Sequence, residues 1–466
     1  MRNSDLLQIL QKLSLTERRA LRKFVQSPWF NQREDVVQLL AFLENSLTRS
    51  PDSLKKTAAH EAVYPGQPFD DKQVRRLMSY LLKVVENYLT INERMADGRQ
   101  NDIALAAAYR KLGLEKHARQ ALEAAVASQK AEHGLDFNFY EIQYQLEAEA
   151  LALSESAKRT APRNLQAVNH SLDLAYLAKK LRQSCVAISH QAVANVEYDL
   201  GLLDLVLGYL DGSDLPKQHP AIGLYFYFYQ AATTGGEGYF EKLKSEIIEH
   251  GKILKTSELR LIYLLAINYC IRRINEGAVR FNHDLFDLYS AALQSDVLLE
   301  NGQLSRFAFK NIAALALRLR EFDWVEKFIE KYSQNVETRH RRNYTDYNLA
   351  KLYHARREYD KAMRLLHKVE YEDVFLNLDA KVLLMKIYFE QAETEVLDSF
   401  IQSFQRFLQR KSKELGYHRE NYLNTLIFAN KLLNINQLDK AEKERLRSEI
   451  IEAKALGERE WLLDRL

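Results

Sequence analysis

His60 and Glu61 open the pattern of a zinc-hydrolase helix, in which two histidines four residues apart hold the metal and the glutamate activates water. Tyr64 stands where the second histidine must be, so the ligand pair is missing. Gly251-Lys252 has the end of a phosphate-binding loop. However, Ile253 replaces the needed Ser or Thr, and Glu246 replaces the leading glycine. Gly235-Gly236-Glu237-Gly238 follows a helical stretch rather than a strand and reads as a loop. No serine sits in a nucleophile elbow. The twelve histidines are scattered without ligand spacing. Cys185 and Cys270 offer neither metal spacing nor a disulfide framework, which fits a reducing compartment. The residues name no reaction, and neither a metal nor a cofactor is expected.

Chemistry of binding is better represented. Arg339, His340, Arg341 and Arg342 form the densest basic run. The run opens a loop or a helix start, where the helix dipole disfavours positive charge, so it asks for an anionic partner. Arg318, Arg320, Arg356 and Arg357 fall near helix C-terminal ends, where the dipole favours a cation by about 0.3–1 kcal/mol. Lys72, Arg75, Arg76, Ser79 and Lys83 share one face of a helix that begins after Asp70. Leu77, Leu81, Val84, Val85 and Tyr88 populate its other side. Such a face can meet phosphates, and it is also the ordinary solvated side of a helix.

The elements that carry these residues are helices. Ile312, Ala313, Ala316, Phe322, Val325, Ile329 and Tyr332 are followed, 37 positions later, by Leu349, Ala350, Tyr353, Tyr359, Ala362, Leu366 and Val369. A period of this length marks helix pairs that cannot bury their apolar faces alone and stack on neighbours. Leu105, Ala106, Tyr109, Ala118, Leu122 and Ala125 fit the same template, and between about 136 and 305 it blurs. All seven prolines lie at or before Pro220, which leaves the rest of the chain free of helix breakers. The run Tyr225-Phe226-Tyr227-Phe228-Tyr229 is strand-like, but its surroundings favour a buried helix. Before about Gly98 four helices are expected. The first opens on the capping box Ser14 to Glu17, the second near Asn31, a short one follows Ser53, and Asp70 with Gln73 opens the last. Tyr64-Pro65-Gly66-Gln67-Pro68 is a turn. Gln437 to Leu466 reads as a charged helical end with an apolar tip at Trp461, Leu462, Leu463 and Leu466, which would cap the array.

Length and composition agree with this. At 466 residues the chain exceeds one ordinary core, but a repeat array need not split. Apolar residues are 47% and charged residues 28%, as in folded globular chains. Lys and Arg number 66 against 63 Asp and Glu, a balance of +3, which is too small to imply nucleic acid by itself. The N-terminus has no signal-type apolar stretch, and Leu261 to Ile271 is too short to span a bilayer. A soluble, cytoplasmic protein without a membrane partner is expected.

Segments 102–127, 307–333 and 344–370 resemble tetratricopeptide repeats. That family places a small residue at the eighth position, a large one at the eleventh and alanine at the twentieth. Ala350, Tyr353 and Ala362 fill these places in one copy and Ala106, Tyr109 and Ala118 in another, whereas Ala316 and Val325 depart in the third. The resemblance implies that the first helix of each unit lines a groove. Tyr344, Tyr347, Asn348, Lys351 and His354 would face it from one unit, and Phe307, Lys310 and Arg318 from the unit before. Aromatic, amide and basic groups together suit a peptide of acidic or carboxylate character. Lys310 and Asn348 match two places of the carboxylate clamp known in one subgroup, but Ala314 stands where an asparagine is needed. Separately, Glu61 to Leu89 resembles the helix–turn–recognition-helix part of winged-helix activators, without the expected strands.

The sequence therefore predicts an all-α protein. An N-terminal helical domain (1–98) precedes an α-solenoid of tetratricopeptide-like helix-turn-helix pairs (99–466), with an internal break at 211–220. The expected function is a non-enzymatic adaptor that binds a protein or peptide partner in its groove. The alternative is a nucleic-acid-binding regulator that uses 53–95. The contacts expected for anions are Lys72, Arg75, Arg76, Lys83, Arg339, Arg341 and Arg342. Tyr344, Tyr347 and Lys351 share one helical face and are expected to stand outside the core, which Leu349, Ala350 and Tyr353 would supply.

Overall fold

The computed structural model describes residues 4–49, 54–132, 134–154, 160–194, 196–367, 373–411, 415, 418–436 and 438–466. Pro51, Ser53, Val369 and Gln437 lie outside the described residues. The protein is all-α and falls into two compact units, Met1–Leu177 and Ala178–Leu466.

The first unit holds α1 (Asp5–Lys12), α2 (Leu15–Gln26), α3 (Glu34–Arg49), α4 (Lys56–Val63), α5 (Asp71–Arg94), α6 (Gly98–Lys111), α7 (Glu115–Ala131) and α8 (Phe137–Leu153). The next helix, α9 (Leu165–Ala194), runs across the boundary. The capping box forms as expected, with Ser14 Oγ accepting from the Glu17 amide and Glu17 accepting from the Ser14 amide. Asp70 caps α5 by accepting from the amides of Lys72 and Gln73. Pro65-Gly66 forms a tight turn closed by Gln67 N–H to the Tyr64 carbonyl, and Gly66 takes the positive φ of 74° that this geometry demands. Ahead of the four expected helices stands α1, which buries Leu6, Leu7 and Leu10. Together α1 to α5 share one apolar core that includes Leu21, Val36, Leu40, Leu81 and Val85. A separate core joins α6, α7 and α8 through Ala106, Ala118, Leu122, Ala125, Ile142 and Leu146. Leu105 is 44% exposed and stays out of it.

The second unit continues with α10 (Leu203–Asp211), α11 (Leu215–Gln218), α12 (Pro220–Thr234), α13 (Glu237–His250), α14 (Thr256–Asn275) and α15 (Phe281–Gln294). The aromatic run at 225–229 is helical, in α12, where Tyr225, Phe226, Tyr227 and Phe228 are all buried. Burial on every side explains why its pattern mimics a strand. At Gly223 a Cβ would lie 2.2 Å from the Pro216 carbonyl oxygen, so only glycine permits this approach of α12 to α11. A two-residue antiparallel hairpin follows, Leu299–Glu300 with Gln303–Leu304, turning on Asn301 and Gly302 at φ 52° and 77°. The pair Asn-Gly is the strongest short hairpin signal, and the all-helical expectation passed over it.

The periodic part comprises α16 (Arg306–Arg318), α17 (Phe322–Tyr332), α18 (Thr338–Ala355), α19 (Tyr359–Leu366), α20 (Val374–Glu390) and α21 (Thr394–Arg410). Each helix packs on the next, and α18 also packs on both α16 and α20. Small residues line the seams: Ala313, Ala316, Ala350 and Ala362 are fully buried, as is Val325. The turns within the three pairs are alike. Arg320, Arg357 and Ala392 are left-handed, at φ 62°, 63° and 59°. In each case the next amide reaches back five residues: Glu321 to the Ala316 carbonyl, Glu358 to Tyr353, Glu393 to Tyr388. This is the Schellman arrangement, which satisfies carbonyls that the helix end leaves free. The same turn closes α6 at Gly113 and α14 at Gly277.

Beyond α21 come α22 (His418–Asn434), α23 (Lys440–Glu452) and α24 (Arg459–Asp464). The apolar tip of the C-terminal end is buried: Trp461 and Leu462 share one core with Leu397, Phe404, Leu426 and Ile450. Most of the charged side chains of α23 are exposed.

Ala362→Leu should overpack the seam between α18 and α19 and cost about 1–3 kcal/mol. A denaturation midpoint equal to the parent's would refute the packing described. Ala392→Gly should do the reverse. Relief of a left-handed alanine, offset by the flexibility of unfolded glycine, should stabilise by about 0.5–1 kcal/mol, read from the same midpoint.

Candidate functional site

The repeated first helices α16, α18 and α20, together with the C-terminal segment from Leu456 to Asp464, enclose a cleft of about 580 Å³. Of the residues expected to face a groove, Arg318, Tyr347, Lys351 and His354 line it. They do so because α16, α18 and α20 pack side by side and present the same edge.

Three of the remaining groove residues lie elsewhere, and one borders the cleft. Phe307 is 56% exposed beside the hairpin, under the Arg306 guanidinium at 4.8 Å from its ring centre. Lys310 Nζ is bound to Asp379 Oδ2 at 2.7 Å, and it is Asp379 that reaches the cleft. Tyr344 is buried and donates to Asp373 Oδ2 at 2.9 Å. Asn348 is fully buried, and neither its amide nitrogen nor its oxygen has a hydrogen-bond partner among the described residues.

The expectation that Tyr344 and Tyr347 stand outside the core is therefore corrected. Both are buried, at 2% and 5% exposure, while Leu349 and Tyr353 are only half-buried. The physical reason is that α18 is covered by α16 and α20 as well as by its partner α19. An amphipathic reading of one helix finds one covered face, but a central first helix has several.

Electrostatically the cleft is mixed. Lys351 lies 5.9 Å from the Tyr347 ring centre, and burial lowers its ammonium's affinity for a proton. Lys386 pairs with Glu458 and stands 5.5 Å from the Trp461 ring. Burial alone would raise the Glu458 carboxyl, but Lys386 and Lys351 together pull it below the usual range. Thus the chain's own Glu458 and Trp461 bring a carboxylate and an aromatic ring to these lysines.

Beside the cleft, Glu390 ties four elements together. Its side chain is 7% exposed. Oε1 accepts from Trp461 Nε1 at 2.8 Å and from an Arg465 guanidinium nitrogen at 2.6 Å. Oε2 accepts from Tyr359 Oη at 2.9 Å and lies 3.1 Å from His354 Nε2. Burial opposes its charge, yet the contacts with His354, Trp461 and Arg465 prevail and hold the carboxyl well below the usual carboxylate range. Asp379 bridges in a similar way, accepting from Lys310 and, at 2.9 Å, from Tyr422 Oη.

Asp379, Lys386, Glu390, Glu458 and Trp461 were not among the expected site residues. A sequence signal existed for one of them. The left-handed turn residues Arg357 and Ala392 are 35 positions apart, not 37, and that spacing maps Lys351 onto Lys386.

The basic residues considered for anions behave differently from one another. Lys72, Arg75, Arg76 and Lys83 are exposed on α5, opposite buried Leu77, Leu81, Val84, Val85 and Tyr88. Arg75 pairs with Asp71, which also holds Lys56 at 2.8 Å. At the start of α18, Arg341 donates to the carbonyls of Gln334 and Val336, so its role there is to close the preceding turn. Arg339 leans on His340, and Arg342 lies 3.7 Å from Asp346. Arg356 pairs with Asp323 and Glu326 at 3.0 and 2.9 Å and so joins α17 to α18.

Among the described residues no His, Cys, Asp and Glu group could hold a metal ion, and no helix is long and apolar enough to cross a membrane. No protein-family model matches the chain, and neither a curated protein nor a solved structure matches it.

The Glu390 cluster sets an acid response. A carboxyl depressed by folding contributes stability above its unfolded value, near 4.3, and loses it as pH falls towards the folded value. Glu390→Gln should cost about 3 kcal/mol at pH 7. The difference from the parent should narrow below about pH 4. Urea midpoints at pH 7 and pH 3.5 measure both, and a gap that does not change with pH would refute the assignment.

Proposed function

We propose that this protein is a non-enzymatic scaffold that holds a segment of a protein partner in the cleft beside α16, α18 and α20. The segment presents a carboxylate and an aromatic ring. The observation that carries this reading is the chain's own Glu458 and Trp461, which bring those two groups to Lys386 and Lys351. Arg318 and His354 widen the basic surface of the same cleft. An interface of this kind draws most of its affinity from a few anchors, typically an aromatic ring and a well-placed charge. The C-terminal segment from Leu456 to Asp464 then acts as an internal stand-in that a partner must displace.

A second reading rests on α5. Lys72, Arg76 and Lys83 are exposed there without a salt bridge among the described residues. On that reading the protein is a nucleic-acid-binding regulator, and its affinity for a duplex falls steeply with salt.

Affinity capture from native lysate, with and without nuclease, separates the two. On the scaffold reading Lys351→Glu reduces partner recovery by about tenfold or more, while Arg75→Glu with Arg76→Glu leaves it unchanged. Recovery that depends on intact nucleic acid, or that survives Lys351→Glu in a variant with the parent's melting curve, would sink the cleft assignment.

A further inference from the structure

A second cavity lies apart from the cleft. The end of α9, the C-terminal half of α12, and α14 enclose about 190 Å³. Ile188, Phe228, Leu265 and Ile271 are among its apolar walls. Ser189, Asn268 and Asn275 also line it, and a space of this size accepts a group about as large as benzene. Yet two of its lining side chains are polar and incompletely used. The Tyr269 hydroxyl is buried and has no hydrogen-bond partner among the described residues. The same holds for Arg272 Nε, although another nitrogen of that guanidinium donates to the Ala232 carbonyl at 2.9 Å. The nearest carboxylate to Arg272 Nε is Glu276, at 3.9 Å and beyond hydrogen-bond reach, and it is already bound to Arg273 at 2.8 Å. Buried donors without acceptors are rare, because nothing replaces the water they give up. Two of them beside one partly apolar space form a matched set: room for an apolar body against Ile188, Phe228, Leu265 and Ile271, and donors for an acceptor at its edge.

We propose that this cavity binds a small amphipathic organic acid. Its ring or branched chain fills the apolar hole, and its carboxylate accepts from Arg272 Nε and Tyr269 Oη. A guanidinium and a phenol suit a carboxylate better than a neutral carbonyl, since charge-assisted bonds are the stronger. A shallower recess with Gln191, Glu197 and Thr233 shares Ala192, Ala232 and Arg272 with the cavity and gives it a mouth. Glu197 at that mouth disfavours a second carboxylate, so a monoacid fits best.

Isothermal titration of the full chain with phenylacetate, phenylacetamide and acetate tests this. Phenylacetate should bind at low millimolar concentration or tighter, and the amide and acetate at least about tenfold more weakly. Arg272→Gln should weaken phenylacetate by about tenfold. Ala192→Leu, on an exposed position of the mouth, should abolish binding without moving the melting curve. No heat from phenylacetate up to about 10 mM would overturn the proposal. So would equal affinity for the acid and the amide, or undiminished binding in the Ala192→Leu variant. Tight binding of a phenylalanine-ended peptide with no binding of phenylacetate would likewise overturn it, by assigning the hole to a protein side chain.

Discussion

A pair of helices such as α18 and α19 has more apolar surface than it can cover by itself. That constraint governs the periodic half of the second unit. It requires α16, α18 and α20 to lie side by side, and the fully buried alanines at 313, 316, 350 and 362 let them approach. It also requires each pair to turn sharply. The chain meets this with left-handed residues at Arg320, Arg357 and Ala392, where no glycine stands. The cleft is a by-product of the same stacking. Side chains on the first helices that are not spent on a neighbour are left facing one another across the edge of the row.

What closes that edge is a buried carboxylate. Glu390 sits at the end of α20, and its two oxygens receive groups from α18, α19 and the C-terminal segment. A buried charge is tolerable only when its lone pairs are filled. Here the filling is shared among distant parts of the chain, so α24 is held by the same atom set that orients His354. The proposed occupant of the cleft and the docked C-terminal segment would thus compete through one shared set of contacts.

Much of the architecture was legible residue by residue. Ser14 with Glu17, Asp70, the Pro65-Gly66 turn and the helical nature of 225–229 all follow from local chemistry, and local chemistry is what a single sequence carries. The buried alanines were legible because a 37-residue spacing repeats them. The site was legible in part. Arg318, Tyr347, Lys351 and His354 meet in the cleft, but Tyr344 and Asn348 are core residues, because their burial is decided by α16 and α20 and not by their own helix. Glu390, Glu458 and Trp461 were not found, since nothing local distinguishes a carboxylate that will meet an indole 71 residues later. The hairpin at Asn301-Gly302 escaped for the opposite reason. Its signal is local, but its strands are two residues long and show no alternation.

The tyrosines have a consequence of another kind. Tyr344 to Asp373, Tyr359 to Glu390 and Tyr422 to Asp379 each join a phenol on one helix to a carboxylate on another. Seams lined with alanine and leucine are nearly indifferent to sliding, because one turn of smooth surface resembles the next. A slide of one turn is about 5.4 Å. That distance would take each phenol out of reach of its carboxylate, at a cost of about 1–3 kcal/mol per hydroxyl left unpaired. The three bonds therefore work as indexing pins. The greasy seam decides that the helices lie together, and the phenols decide at which notch.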